Sequence, residues 1–149
     1  MKKKERDDII YDIILASQYI PVDKDDPWPI MNPQDKWFCR NDFKIYYSDA
    51  LFAEYGFETR DEIIDSGLFV LLPKVDIVKM EKEFLVSLNS RPINKFLKEN
   101  EGLSGRRFDA EFKYFFDYDD TGREMWCDYF KEKIGKIVEE WCIENNIWF

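Results

Sequence analysis

The stretch from Thr121 to Asn146 constrains this chain most. Trp126, Phe130, Ile134, Ile137, Val138 and Trp141 recur at helical spacing and form one continuous apolar stripe. Thr121-Gly122-Arg123-Glu124 reads as a capping box at the start of that helix, and Asn145-Asn146 as its stop. A long helix with one apolar face needs other elements to cover that face. The tail Ile147-Trp148-Phe149 is expected to dock back on the domain.

The segments before it supply the cover. Ile9, Ile10, Ile13 and Ile14 predict a short amphipathic helix over 6–17, and Tyr19 to Val22 reads as extended. Residues 23–35, with Pro27, Pro29 and Pro33 among several acids, form a Pro/Asp-rich loop. Trp37–Arg40 and Phe43–Tyr47 are strand-like runs, with Asn41-Asp42 as a hairpin turn. Ser48 is a candidate cap for a helix that stops at Gly56. Thr59-Arg60-Asp61-Glu62 is a capping box for another that stops at Gly67. Leu68 to Leu72 is a buried strand or an apolar tether, closed by Pro73. Ile77, Met80, Phe84 and Leu88 mark a helix, Ser90 and Pro92 open the next, and Phe108, Phe112 and Phe115 or Phe116 mark a third. The expected class is α+β. A short N-terminal helix and a small antiparallel hairpin precede a mainly helical C-terminal half, and 1–149 reads as a single domain.

The residues from 68 onward resemble an uncharacterised bacterial family, UPF0158. The likeness lies in Leu72-Pro73, the helix from Ile77 to Leu88, and Gly105-Arg106-Arg107-Phe108. It continues through Trp126, Tyr129-Phe130 and the closing Glu140-Trp141-Cys142-Ile143-Glu144-Asn145-Asn146-Ile147. It covers about residues 68–147 and implies a single small bacterial domain. It brings no reaction, cofactor or catalytic residue with it.

Histidine is absent, which removes every mechanism that needs a histidine base, a histidine-supported nucleophile or a histidine-bound metal. Cys39, Cys127 and Cys142 are odd in number and lack metal-knuckle spacing. They read as reduced thiols of a cytoplasmic protein. The longest apolar run, Leu68–Leu72, is far too short to span a bilayer. A net charge of −9 opposes nucleic acid and anionic lipid and suits a basic protein partner.

Some stretches could carry a site. Asp117-Tyr118-Asp119-Asp120-Thr121-Gly122, with Asp128, places oxygens at positions one, three, five and twelve of a calcium loop around a glycine. Asp117, Asp119, Thr121 and Asp128 are therefore candidate ligands for calcium or magnesium. Glu124 stands where the loop wants an apolar residue, and Asp128 is shorter than the usual closing Glu. The other reading is a capped turn, with Asp119 and Asp120 facing the amide-rich start of a helix. Arg106-Arg107 could clamp a phosphate or carboxylate, or bind the domain's own Asp109 or Glu111. Trp28, Trp37, Tyr46 and Tyr47 are candidate interface residues on a loop and a hairpin. The function expected is that of a non-catalytic, acidic interaction or regulatory protein. The alternatives are a metal- or ligand-binding domain using the Asp117–Asp128 loop, or a carboxylate-based hydrolase. No resident cofactor is implied, and the oligomeric state is not legible.

Overall fold

The computed structural model describes residues 1–22, 35–116 and 119–148. Its class is α+β. The elements run α1 (Lys3–Ser17), β1 (Gln18–Tyr19), β2 (Lys36–Cys39), β3 (Ile45–Tyr47), α2 (Ser48–Glu54), α3 (Arg60–Asp65), β4 (Phe69–Leu71), β5 (Val75–Asp76), α4 (Ile77–Leu88), α5 (Arg91–Glu99), α6 (Gly105–Phe116) and α7 (Asp120–Glu144). Residues 23–34 of the Pro/Asp-rich loop lie outside the described residues. The sequence offers no boundary, yet contacts divide the chain into two compact units. One comprises the described residues of Met1–Gln18, Pro33–Lys74 and Ile134–Phe149; the other comprises those of Tyr19–Asn32 and Val75–Lys133.

In the first unit β2 is the central strand of an antiparallel sheet ordered β3-β2-β4. Trp37 lies opposite Tyr46 and Leu71, and Phe38 opposite Ile45 and Val70. Successive strand residues point to opposite faces. Trp37 accordingly enters a cluster with Cys39, Leu51, Ile63 and Phe69, while Phe38 enters another with Ile13, Val70, Leu72, Val138, Trp141 and Ile147. Apolar cover on both faces is why Trp37-Phe38-Cys39 of β2 is an apolar run rather than an alternating one. The hairpin forms at the expected turn. Its second strand starts at Ile45, not Phe43, because Phe43 adopts a left-handed φ of 60° to close the turn.

The helices of this unit use their caps unevenly. Thr59 Oγ1 accepts the Glu62 amide at 3.2 Å, as the capping box requires. Glu62 reaches back one residue further than the motif predicts, accepting from the Glu58 amide at 2.8 Å. Ser48 lies inside α2 instead of capping it; its hydroxyl accepts the Trp37 indole N–H at 2.9 Å and donates to the Asp35 carbonyl at 3.3 Å. The Asp35 carboxylate binds Lys74 at 2.8 Å and Arg60 at 2.9 Å. The hydrogen bond from Lys74, helped by Arg60, outweighs partial burial and holds the Asp35 carboxyl below its ordinary range.

The second unit is a helical assembly on an aromatic core. Asp76 caps α4 by accepting the Lys79 amide at 3.0 Å, and Asn89 ends that helix with a left-handed φ of 42°. Pro92 occupies the first turn of α5, where its missing N–H costs nothing. Phe84 lies 5.1 Å from Tyr129 and 5.4 Å from Trp126, ring centre to ring centre, and also meets Phe112 and Phe116. At α7 the cap is Asp119 rather than Thr121. Its carboxylate accepts the Gly122 amide at 3.1 Å, and Thr121 is already helical. A carboxylate there also meets the positive end of the helix dipole.

Two glycines of α7 should respond oppositely to alanine. A Cβ at Gly122 would sit 2.4 Å from the Phe116 ring, whereas one at Gly135 would meet nothing within 4 Å. Gly122→Ala is expected to destabilise by about 1–3 kcal/mol through overpacking. Gly135→Ala should stabilise by about 0.5–1 kcal/mol through the lost backbone entropy of the unfolded chain. Urea unfolding of both variants checks the two signs.

Candidate interaction site

The hairpin and the segment after it gather aromatic rings at the surface of the first unit. Tyr46 meets Tyr55 edge-on at 5.7 Å and Phe69 at 5.8 Å, and Tyr55 stacks on Phe57 at 6.5 Å. Phe69 is buried and anchors the group from below, since Tyr55 and Phe57 also pack edge-on against it. Tyr47 is 53% exposed, Tyr55 45% and Phe52 37%. Asp42, Asp49, Glu54 and Glu58 are exposed along the same segment, with Lys44 as its one lysine. The face of an aromatic ring is electronegative, and carboxylates beside exposed rings deepen that potential.

One corner of this face is hydrogen-bonded internally. The Tyr46 hydroxyl donates to Asp42 Oδ2, and the Lys44 amide donates to Asp42 Oδ1 at 2.9 Å. Desolvation is the largest single influence and pulls the Asp42 carboxyl up, but these two bonds, a third from Cys39 and the charge of Lys44 together leave it below its ordinary range. The same bond, seconded by Tyr55, raises the Tyr46 phenol. Tyr46 is therefore a fixed, half-buried ring, while Tyr47 is free to meet a partner apart from the Lys36 ammonium 5.5 Å from its centre.

The expected interface residues separate accordingly. Trp37 is fully buried in the centre of the sheet, its N–H taken by Ser48, so it is core and not a contact residue. Tyr46 and Tyr47 remain at the surface, and Trp28 lies outside the described residues. Tyr55 and Phe52 escape a reading by strand pattern because they stand on and just after a short helix. The signal was the density of aromatics and acids between residues 42 and 58.

A second surface feature of this unit is an apolar groove of about 390 Å³ between α1 and the end of α7, lined among others by Arg6, Ile10, Val138, Cys142, Ile143 and Trp148. Burial raises the Cys142 thiol, and the nearby Glu139 adds to it.

The remaining candidates fall elsewhere. Asp119 serves as a helix cap, Thr121 and Asp128 are residues of α7, and Asp117 lies outside the described residues. Among the described residues no group of three or more acidic, cysteine or histidine side chains could hold a metal ion. Arg106 is half-buried and Arg107 exposed at the start of α6; Asp109, one of the two acids suggested as their partners, pairs with Lys113 at 2.8 Å. Among the described residues Glu81 and Asp109 are buried carboxylates of the second unit, and the Asp109 charge acts on Glu81. No helix among the described residues is long and apolar enough to cross a membrane. The chain matches no family model, no curated protein and no solved structure.

The thiols should differ in reach. Cys127 is exposed, Cys142 half-buried and Cys39 buried. With a chromogenic thiol reagent under native conditions, Cys127 should react first. Cys142 should follow more slowly and gain rate as pH rises, and Cys39 should react only on unfolding. Peptide mapping of the labelled protein checks the order.

Proposed function

We propose that this protein is a non-catalytic binding module that meets a basic segment of another protein on the aromatic and acidic face of Tyr47, Phe52 and Tyr55. The observation that carries this reading is the exposure of these rings amid Asp42, Asp49, Glu54 and Glu58. Lys and Arg side chains fit such a surface in two ways. Their charge meets carboxylates, and their cationic heads lie against ring faces at about 0.5–2 kcal/mol each. The net charge of −9 adds long-range attraction, which speeds encounter and weakens with salt.

The chemistry of the face argues for binding rather than turnover. It holds carboxylates and phenols but neither a thiol nor a histidine, and Glu81 and Asp109, the buried acids among the described residues, are closed off from solvent.

The test compares the wild type with two variants as immobilised baits in cell lysate. One is Tyr47→Ala/Phe52→Ala; the other is Asp49→Asn/Glu54→Gln/Glu58→Gln. A basic partner is expected on the wild type at low salt, with affinity lowered about tenfold or more by ring removal. Charge neutralisation should flatten its salt dependence. Equal capture by all three baits, or no stoichiometric partner, would overturn the reading.

A further inference from the structure

We propose that the second unit is clasped by a single buried proton held between Glu81 on α4 and Asp109 on α6. Glu81 is 1% exposed and Asp109 5%, so neither is hydrated as an ordinary carboxylate would be. Both project from the apolar stripes of their helices, among Phe84, Leu85, Phe108 and Phe112. Written as two carboxylates they can only accept hydrogen bonds, and among the described residues Glu81 Oε1 and Asp109 Oδ1 have no donor. One proton resolves both defects. It removes a like-charge repulsion in a poorly hydrated site, and it turns one of two acceptors into a donor.

The surroundings decide which acid carries it. Lys113 sits 2.8 Å from Asp109 Oδ2, so the negative charge belongs on Asp109 and the proton on Glu81. Other charges nearby do not neutralise Glu81. Asp76, at the cap of the same helix, adds repulsion, and Lys113 offsets only part of the effect of Asp109. Lys82 is turned to the Leu103 carbonyl and lies over the Phe108 ring. Arg106 is half-buried one turn before Asp109. From α5 Ile93 and Phe96 point inward while Lys95 faces Glu99, and from α7 the Tyr129 phenol is raised by burial and then by Glu83.

Burial first, then the hydrogen bond and charge of Asp109, push the Glu81 carboxyl from 4.5 up to about 9. The folded protein thus holds a proton that the unfolded chain releases. The clasp is complete below the unfolded value and is lost as pH rises through the folded one. Within that window the folding equilibrium of the second unit should fall by up to about tenfold per pH unit.

Amide hydrogen exchange read by mass spectrometry on peptides of α4 and α6, corrected for the intrinsic rate, tests this from pH 6 to 9. Protection in the wild type should fall steeply with pH, and Glu81→Gln, whose amide replaces the donor without a proton to lose, should flatten the dependence. A flat wild type, or an equal slope in the variant, would overturn the clasp. Infrared spectra of wild-type protein carrying carbon-13 glutamate give a reading that needs no substitution. A protonated glutamate carboxyl band at pH 7 that disappears in alkaline solution is expected, and its absence at pH 7 would sink the proposal.

Discussion

Trp141 holds the first unit together. Its indole N–H donates to the Leu71 carbonyl at 2.8 Å, and its ring meets Phe38 edge-on at 5.8 Å. The first contact satisfies an outward-facing acceptor on β4, the last strand of the sheet. The second presses the helix onto the central strand. Arg40 works beside it, donating to the Asn145 carbonyl at 2.8 Å where α7 ends. An indole suits this place because it buries a large apolar body and still spends its one polar group. Remove it and the Leu71 carbonyl loses its partner while Phe38, Val138 and Ile147 lose their cover.

Acids outnumber bases in this chain, and the structure disposes of them in three ways. Some work at helix starts, as Asp76 and Asp119 do, where free amides and the helix dipole accept a carboxylate. Asp35 binds two cations on the surface, a modest gain because both partners are half-exposed. Others stand in the open beside tyrosines. Glu81 fits none of these classes, and a buried acid without a cation of its own can remain only uncharged.

Much of the fold is legible in the residues because caps and stripes are local. Thr59 and its Glu62, Pro92, the Asn41-Asp42 turn and the α7 stripe each report a short-range preference that tertiary packing did not override. Trp37 was not legible as core. A strand pattern says that a ring points to one side of a sheet, not whether that side is covered, and β2 is covered on both. Thr121 and Asp119 could each cap α7; Asp119 takes the Gly122 amide, and the bare Cα of that glycine lies against Phe116, a contact no local rule predicts. The Glu81–Asp109 pair left a faint trace. Glu81 follows Ile77 and precedes Leu85 by one turn each, and Asp109 stands beside Phe108 and before Phe112. A carboxylate inside an apolar row marks an acid with a buried partner, but only the packing of α4 on α6 says which.

The first unit is assembled from three separated stretches of chain, the last of them beginning at Ile134. Its joining contacts close long loops: Trp141 to Leu71 spans 70 residues and Arg40 to Asn145 spans 105. Loop closure costs entropy before any contact repays it, and such topologies fold slowly. On the ribosome, every residue that builds the second unit emerges before the final stretch does. The helical unit can therefore condense early. The three-stranded sheet must wait, its β4 rim open to wrong neighbours, until synthesis delivers Trp141.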